Sequence, residues 1–287
     1  MTEQVAAIVI TYRRPERLVE TIHSLIGQTR RPDEIVIVDN ASDGAAEAAI
    51  AEAGLQRSVR VLPQAENLGF EGGLSAGIQY TRTEIDPDWY LLLDDDSPID
   101  PASLEQGLAA LHDLPPRSVL ANRGADLPKG RVRPVYGHTL SAPRPVAVCL
   151  FDGTLYPRSA IEAVGLPRAD FFLMFGDYEF ALRLRRAAFG LFVGPSVRSA
   201  AGYSGFGSSP PWRGYYQTRN QVRTAIEMRS GVLLFGAIDR VLRQVTSLAL
   251  HRDDRFALRI RLRLLGVWHA VRGQMGRVLD PEDSRYR

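Results

Sequence analysis

The chain has 287 residues, enough for one large α/β domain plus an appendage, and its 45% apolar and 24% charged residues are ordinary globular values. Its net charge of +2 conceals a division, because residues 211–287 hold 15 Arg and no Lys against 7 acids, leaving the preceding body acidic. A basic tail behind an acidic body excludes a general nucleic-acid binder, whose basic surface would accompany its base-reading elements.

Val5-Ala6-Ala7-Ile8-Val9-Ile10 is a short apolar strand with no basic region or cleavage site ahead of it, which argues against a secretory signal. Thr11-Tyr12-Arg13-Arg14-Pro15 turns out of it into a helix carrying Leu18, Ile22, Leu25 and Ile26 on one face. Glu34-Ile35-Val36-Ile37-Val38 is a second strand, ending in Asp39-Asn40. An Ala-rich helix to about Gly54 and a third strand at Arg60-Val61-Leu62 complete a β-α-β-α-β opening, which predicts a parallel, right-handed, doubly wound sheet. Asn67-Leu68-Gly69-Phe70-Glu71-Gly72-Gly73 then turns into another helix. It matches neither the phosphate loop nor the dinucleotide loop, so its glycines serve either ligand approach or close helix–sheet packing.

Trp89-Tyr90-Leu91-Leu92-Leu93 is an unbroken apolar run of strand length, which suits a central strand covered on both faces. It runs into Asp94-Asp95-Asp96 and stops at Ser97-Pro98. Asp100-Pro101 predicts the next helix start, with Leu104, Leu108 and Leu111 as its buried stripe. Residues 115–145 are rich in Pro, Gly and Arg, with strand candidates at 118–121 and 131–136. Val146-Ala147-Val148-Cys149-Leu150-Phe151 reads as another buried strand; Cys149 is the lone cysteine, so no intramolecular disulfide forms and a reducing, cytoplasmic compartment is expected. A short helix over 158–164 follows, then Phe171-Phe172-Leu173-Met174-Phe175, a helix opening at Gly176-Asp177-Tyr178-Glu179, and a last strand at Leu191-Phe192-Val193. Beyond a Gly- and Ser-rich loop at 202–209 lie Arg213-Gly214-Tyr215-Tyr216-Gln217-Thr218-Arg219-Asn220 and a helical, Arg-rich tail. The longest apolar run there, from Gly231 to Ile238, stops at Asp239, too short to cross a bilayer.

In an open parallel sheet, ligands bind beyond the carboxyl ends of the strands. Three strands end in groups suited to a nucleotide: Thr11-Tyr12-Arg13, Asp39-Asn40 and Asp94-Asp95-Asp96. Alternation aims Asp94 and Asp96 at one spot and turns Asp95 away. Bunched carboxylates are hard ligands for Mg²⁺ or Mn²⁺, or else a solvated turn with surplus charge. Asp39 either accepts a hydrogen bond from a base or ribose or forms an Asx turn. Asp177, in a first helical turn, is either a general base or a helix cap.

These segments, in this order and spacing, resemble family 2 inverting glycosyltransferases with the GT-A fold: Val9 to Arg14, Ile37 to Ser42, Asn67 to Phe70, and Leu92 to Asp96. Phe175 to Arg183 resembles the family's acceptor-side motif, and Tyr215-Tyr216 with Arg219-Asn220 resembles the galactofuranosyl- and rhamnosyltransferase branch. The resemblance implies that Thr11, Tyr12, Arg13, Asp39, Asn67, Gly69, Asp94 and Asp95 hold the nucleotide sugar. It implies too that Asp94 and Asp96 hold the metal, that Asp177 is the base, and that Glu179, Trp212, Arg219 and Asn220 contact acceptor or diphosphate. Two positions depart from the pattern. The acid that often precedes the base is Gly176 here, and no His lies between His138 and His251 to serve as a further metal ligand.

The expectation is therefore an α/β, mostly parallel GT-A domain over residues 1–225, with a nucleotide-sugar half to about 100 and an acceptor half after it. A basic, amphipathic helical tail over 226–287 would follow. It would move galactofuranose or rhamnose from a UDP or dTDP donor to a lipid-linked or cell-envelope glycan, assisted by Mg²⁺ or Mn²⁺. A sugar nucleotidyltransferase and a non-catalytic nucleotide-sugar binding module are the alternatives. Leu242, Val245, Leu248 and Ala249, and again Leu258, Leu262, Leu265 and Trp268, fall at helical spacing among arginines. That stripe either lies on an anionic membrane at the inner face of the plasma membrane or packs on the catalytic body or a second subunit.

Overall fold

The computed structural model describes residues 3–195, 210–250 and 255–285; the expected loop at 202–209 lies outside them. Its first half alternates strictly: β1 (Val5–Thr11), α1 (Pro15–Ile26), β2 (Glu34–Asp39), α2 (Ala45–Glu52), β3 (Arg60–Pro63), α3 (Gly69–Glu84) and β4 (Trp89–Asp94). The four strands pair in parallel in the order β3-β2-β1-β4. Every residue of β1 is buried, because helices cover both faces. Ile8 and Ile10 pack with Leu74 and Ile78 of α3 on one side, while Ala7 and Val9 pack with Leu18, Ile22 and Leu25 of α1 on the other. Each such fully buried aliphatic side chain contributes roughly 1.5–3 kcal/mol. On α3, a Cβ at Gly77 would meet Ile8 and Val38 side chains below 3 Å, so this glycine lets the helix lie close on the sheet.

The second half adds α4 (Ser103–His112), β5 (Ser118–Ala121), β6 (Arg123–Asp126), β7 (Arg133–Tyr136), β8 (Arg144–Pro145), β9 (Val148–Cys149), β10 (Thr154–Pro157), α5 (Arg158–Val164), α6 (Gly176–Arg186) and β11 (Gly190–Val193). Two expectations need correction here. Val146 to Phe151 is not a strand of the main sheet; only Val148 and Cys149 are extended, in a small sheet of order β7-β6-β9. The neighbour of β4 is instead β10, antiparallel to both β4 and β5. Asp100 does not cap α4, whose cap position is Ala102; the Asp100 carbonyl accepts from the Gln28 side chain at 2.8 Å.

Three helices follow: α7 (Pro211–Glu227), α8 (Gly231–Leu250) and α9 (Phe256–Arg272). Most of α7 is buried, with α9 and α8 packed against it. Leu258, Leu262 and Leu265 pack against Tyr215 and Tyr216, so three of the eight positions of the stripe expected on a membrane face inward, onto the body, while Leu242 and Trp268 stay exposed. Glycine meets glycine where α8 docks: a Cβ at Gly236 would run into the Gly130 carbonyl, and Arg131 pairs with Asp239 at 2.7 Å beside it. No helix among the described residues is long and apolar enough to cross a membrane.

Candidate active site

The register brings the three polar strand ends to one edge. Thr11 stands opposite Asp39, and Ile10 opposite Asp94, so the three turns leave parallel strands side by side. As alternation requires, Asp95 turns inward. Its buried carboxylate accepts from Thr11 Oγ1 at 2.9 Å and from the Tyr12 N–H at 3.3 Å, fastening the first turn to the fourth strand. The Asp95 side chain is fully enclosed, so its visible work is to hold this turn. Asp94 and Asp96 remain partly open, and oxygens of the three acids lie within 4.8 Å of one another.

Arg14, unremarked in the sequence except as part of a turn, reaches all three: 3.9 Å to Asp94, 3.2 Å to Asp95 and 2.6 Å to Asp96. One guanidinium does not neutralise so many acids. Burial, then the charges of Asp95, Asp152 and Asp96, push Asp94 up to about 8 despite Arg14. Asp152 is a further acid not singled out in the sequence; it accepts the Asp94 N–H at 3.1 Å and pairs with Arg123. Partly open hard oxygen donors with an excess of negative charge fit a divalent cation at Asp94 and Asp96.

The remaining nucleotide-side residues are held by the chain itself. Asp39 is buried and accepts the Ala41 N–H at 2.9 Å, an Asx turn. Asn67 accepts the Gly69 N–H at 2.8 Å, and Gly69, at φ +72°, lies against the Phe172 carbonyl where a Cβ has no room. Tyr12 donates to Glu282 at 2.6 Å, and Arg13 pairs with the same carboxylate, so the last described segment lies across this turn.

On the acceptor side, Phe172, Met174 and Phe175 all have positive φ, at 63°, 71° and 72°. Such backbone costs about 1 kcal/mol or more for each bulky residue, so neighbours must hold it in place. Asn220 donates to the carbonyls of Phe171, Leu173 and Met174 at 3.1, 2.9 and 2.7 Å. Arg219, wholly buried, donates to the Phe171 carbonyl at 2.9 Å and the Gly276 carbonyl at 2.7 Å. Both side chains are thus committed to shaping the loop. Glu179 is buried and forked with Arg183 at 2.8 and 2.9 Å. Trp212 stays partly exposed, edge-on to Tyr216.

The loop delivers Asp177 to the second position of α6, whose cap residue is Phe175. Asp177 is therefore not the helix cap; its Oδ1 accepts the Tyr178 N–H at 2.9 Å. Burial pushes its carboxyl up to about 7, with Arg240 of α8 and Arg123 of β6 pulling the other way. Arg123 thereby ties the two sides together, since it pairs with Asp152 beside Asp94. A carboxyl raised to about neutrality suits proton abstraction.

The profile of Glycosyl transferase family 2 matches residues 6–164, more than half of the chain. The chain belongs to that family. Galactofuranosyltransferase GlfT1 of Mycobacterium tuberculosis is 29% identical over 204 residues, covering 65% of this chain and 66% of that protein. The Mycolicibacterium smegmatis protein of the same name is 28% identical, covering 65% and 67%. The match thus spans about two thirds of these relatives. Among solved structures, GalNAc-T7 with UDP, GalNAc and Mn²⁺ superposes with a TM-score of 0.67 at 15% identity, over 94% of this chain and 56% of that one. S. aureus TarS 1–349 gives 0.59 at 16%, over 93% and 81%. The fold is GT-A, with additional C-terminal helices.

Proposed function

We propose that this family 2 member transfers a sugar, with inversion, from a nucleotide-diphosphate donor to a hydroxyl of a lipid-linked or cell-envelope glycan. The observation that carries the reading is Asp177: a carboxyl held near pKa 7 by burial, linked through Arg123 and Asp152 to the acidic strand end. Asp177 takes the proton of the acceptor hydroxyl while that oxygen attacks the anomeric carbon from the face opposite the departing diphosphate. A single displacement of this kind inverts the centre. Thr11, Tyr12, Arg13, Asp39 and the Asn67–Gly69 turn line the edge that receives the nucleotide. UDP-galactofuranose is the donor favoured by the GlfT1 relatives, with dTDP-rhamnose second. Release of UDP from UDP-galactofuranose that depends on a lipid-capped glycan acceptor tests the reading; release of pyrophosphate instead would point to a nucleotidyltransferase.

Asp94 and Asp96 would hold Mg²⁺ or Mn²⁺, and a bound divalent ion there supplies charge neutralisation for the leaving diphosphate. With no His among the candidate ligands, the ion is expected to be labile. EDTA is expected to abolish transfer and Mn²⁺ to restore it. Asp96→Ala is expected to lose the Mn²⁺-dependent part of the thermal stabilisation by UDP. Full activity in EDTA would remove the metal from the reaction.

The outward faces of the tail helices support work at a membrane surface of the cytoplasmic side. Phe235, Ile238 and Leu242 on α8 are 52%, 53% and 61% exposed, and Leu264, Trp268 and Val271 on α9 are 62%, 52% and 63% exposed. Arg243, Arg261 and Arg272 stand exposed among them. Apolar surface beside Arg suits an anionic bilayer, each Arg contributing on the order of 1 kcal/mol. Cosedimentation with phosphatidylglycerol liposomes, weakening with salt and lost in Phe235→Ser/Trp268→Ser, is the expected result. Equal recovery in the supernatant with and without liposomes would assign these faces to another role.

A further inference from the structure

Glu71 is a buried carboxyl that the reaction above leaves unused. It sits in the first turn of α3, 2% exposed, and its Oε1 accepts the Gly176 N–H at 3.1 Å. Its other oxygen, Oε2, is buried without a hydrogen-bond partner. A Cβ built at Gly176 would fall against the Glu71 side chain, 2.8 Å from Oε1. Position 176 thus carries no side chain, and a carboxyl from a different element occupies the volume such a side chain would take, directly before Asp177. A lone buried acid placed there only for packing would be costly, since an apolar residue fills the same space without desolvation.

We propose that Glu71 and Asp177 form a coupled carboxyl pair in which Glu71 is a positioning residue: it fixes the first turn of α6 and governs when Asp177 carries its charge. This rests on Asp177 being the base. Glu71 holds the N–H of the residue before Asp177 and the two charges oppose one another, so the acids resist ionising together and one proton stays in the pair until the pH is alkaline. Consistent with that, burial and the Asp177 charge push Glu71 up to about 8, against Arg219 of α7. The other charged groups facing the pair are Arg123 and Arg240, which favour the Asp177 anion, and the Tyr156 phenol, itself raised by burial and by Asp177. The pair therefore offers one base and one neutral acid at neutral pH.

Both acids have pKa values above those of an unfolded chain. The stability they permit is fully present below about pH 4 and is lost as pH rises through 7 to 8. Coupling makes that loss larger when both acids are present than the sum of the losses each causes alone. The experiment is the melting temperature from pH 6 to 9 for wild type, Glu71→Gln, Asp177→Asn and the double variant, with no substrate needed. The expected result is an alkaline loss in wild type exceeding the sum of the two single-variant losses. In transfer assays, the acid limb of the Glu71→Gln profile is expected to sharpen and move down by about half to one pH unit.

Additive losses together with an unmoved profile would overturn the pairing and leave Glu71 a structural acid. Should Glu71→Gln fail to fold, Glu71→Ala/Gly176→Glu replaces it, returning a carboxyl to the same volume from the next residue. Restored coupling to Asp177 then supports the proposal, and absent coupling overturns it. Undiminished transfer by Asp177→Asn would sink the base assignment, whereas the melting cycle would still decide the pairing.

Discussion

Asp177→Asn is expected to lower transfer by about two to four orders of magnitude, the usual worth of a positioned base, while leaving UDP binding near wild type. The fold should tolerate the change. Asn keeps the oxygen that accepts the Tyr178 N–H, and Asp177 caps no helix. Asn also removes a buried group whose ionised form is disfavoured, so the variant should melt no lower than wild type above pH 7. The pH dependence gives a second signature. With the carboxyl at about 7, wild-type transfer rises roughly tenfold per unit below that point and levels off above it. The variant loses that limb. A correctly melting variant with near wild-type rate would place the base elsewhere.

Arg219→Met is expected to cost about 3 kcal/mol or more and to lower the melting temperature by about 6 °C or more. Met fills much of the volume but leaves the Gly276 carbonyl without its Arg219 donor and the Phe171 carbonyl with Asn220 alone. The guanidinium also lies over the rings of Tyr215 and Tyr216, at 5.5 and 4.9 Å, so its loss loosens α7 as well. Arg219→Lys keeps the charge but not the fork, and should recover only part of the stability. A Lys variant as stable as wild type would show that charge alone, without the paired donors, holds the loop.

Sequence patterning made the parallel half legible because each strand there is an apolar run ending in polar residues. Thr11, Asp39 and Asp94 could be placed at one edge on that basis alone. The stretch Val146 to Phe151 misled for the same reason. Its apolar run is longer and louder than Thr154-Leu155-Tyr156-Pro157, yet the shorter segment is the one with β4 and β5 on its two sides. Arg219 and Asn220 were legible as a pair of interest but not as loop supports, since their partners are backbone carbonyls some 50 residues away that carry no sequence signal. Arg14 had a signal, a cation in the turn facing three acids. Glu71 had one too: a lone carboxylate among glycines where a small residue would suffice. Glu282 had none, because 270 residues separate it from Tyr12.

The hold of Gly276 on the loop has a consequence for how the protein is made. The Gly276 carbonyl accepts from Arg219, and its N–H donates to the Asp170 carbonyl, so the bend that presents Asp177 is completed by chain emerging far later from the ribosome. At ordinary elongation rates that delay is on the order of ten seconds. During it the Rossmann-like half can already be assembled, with Phe172 and Tyr216 still waiting for their cover. A nascent chain arrested before residue 276 should therefore bind nucleotide earlier than it acquires a competent base, and the exposed aromatics make that interval the one in which a chaperone would matter.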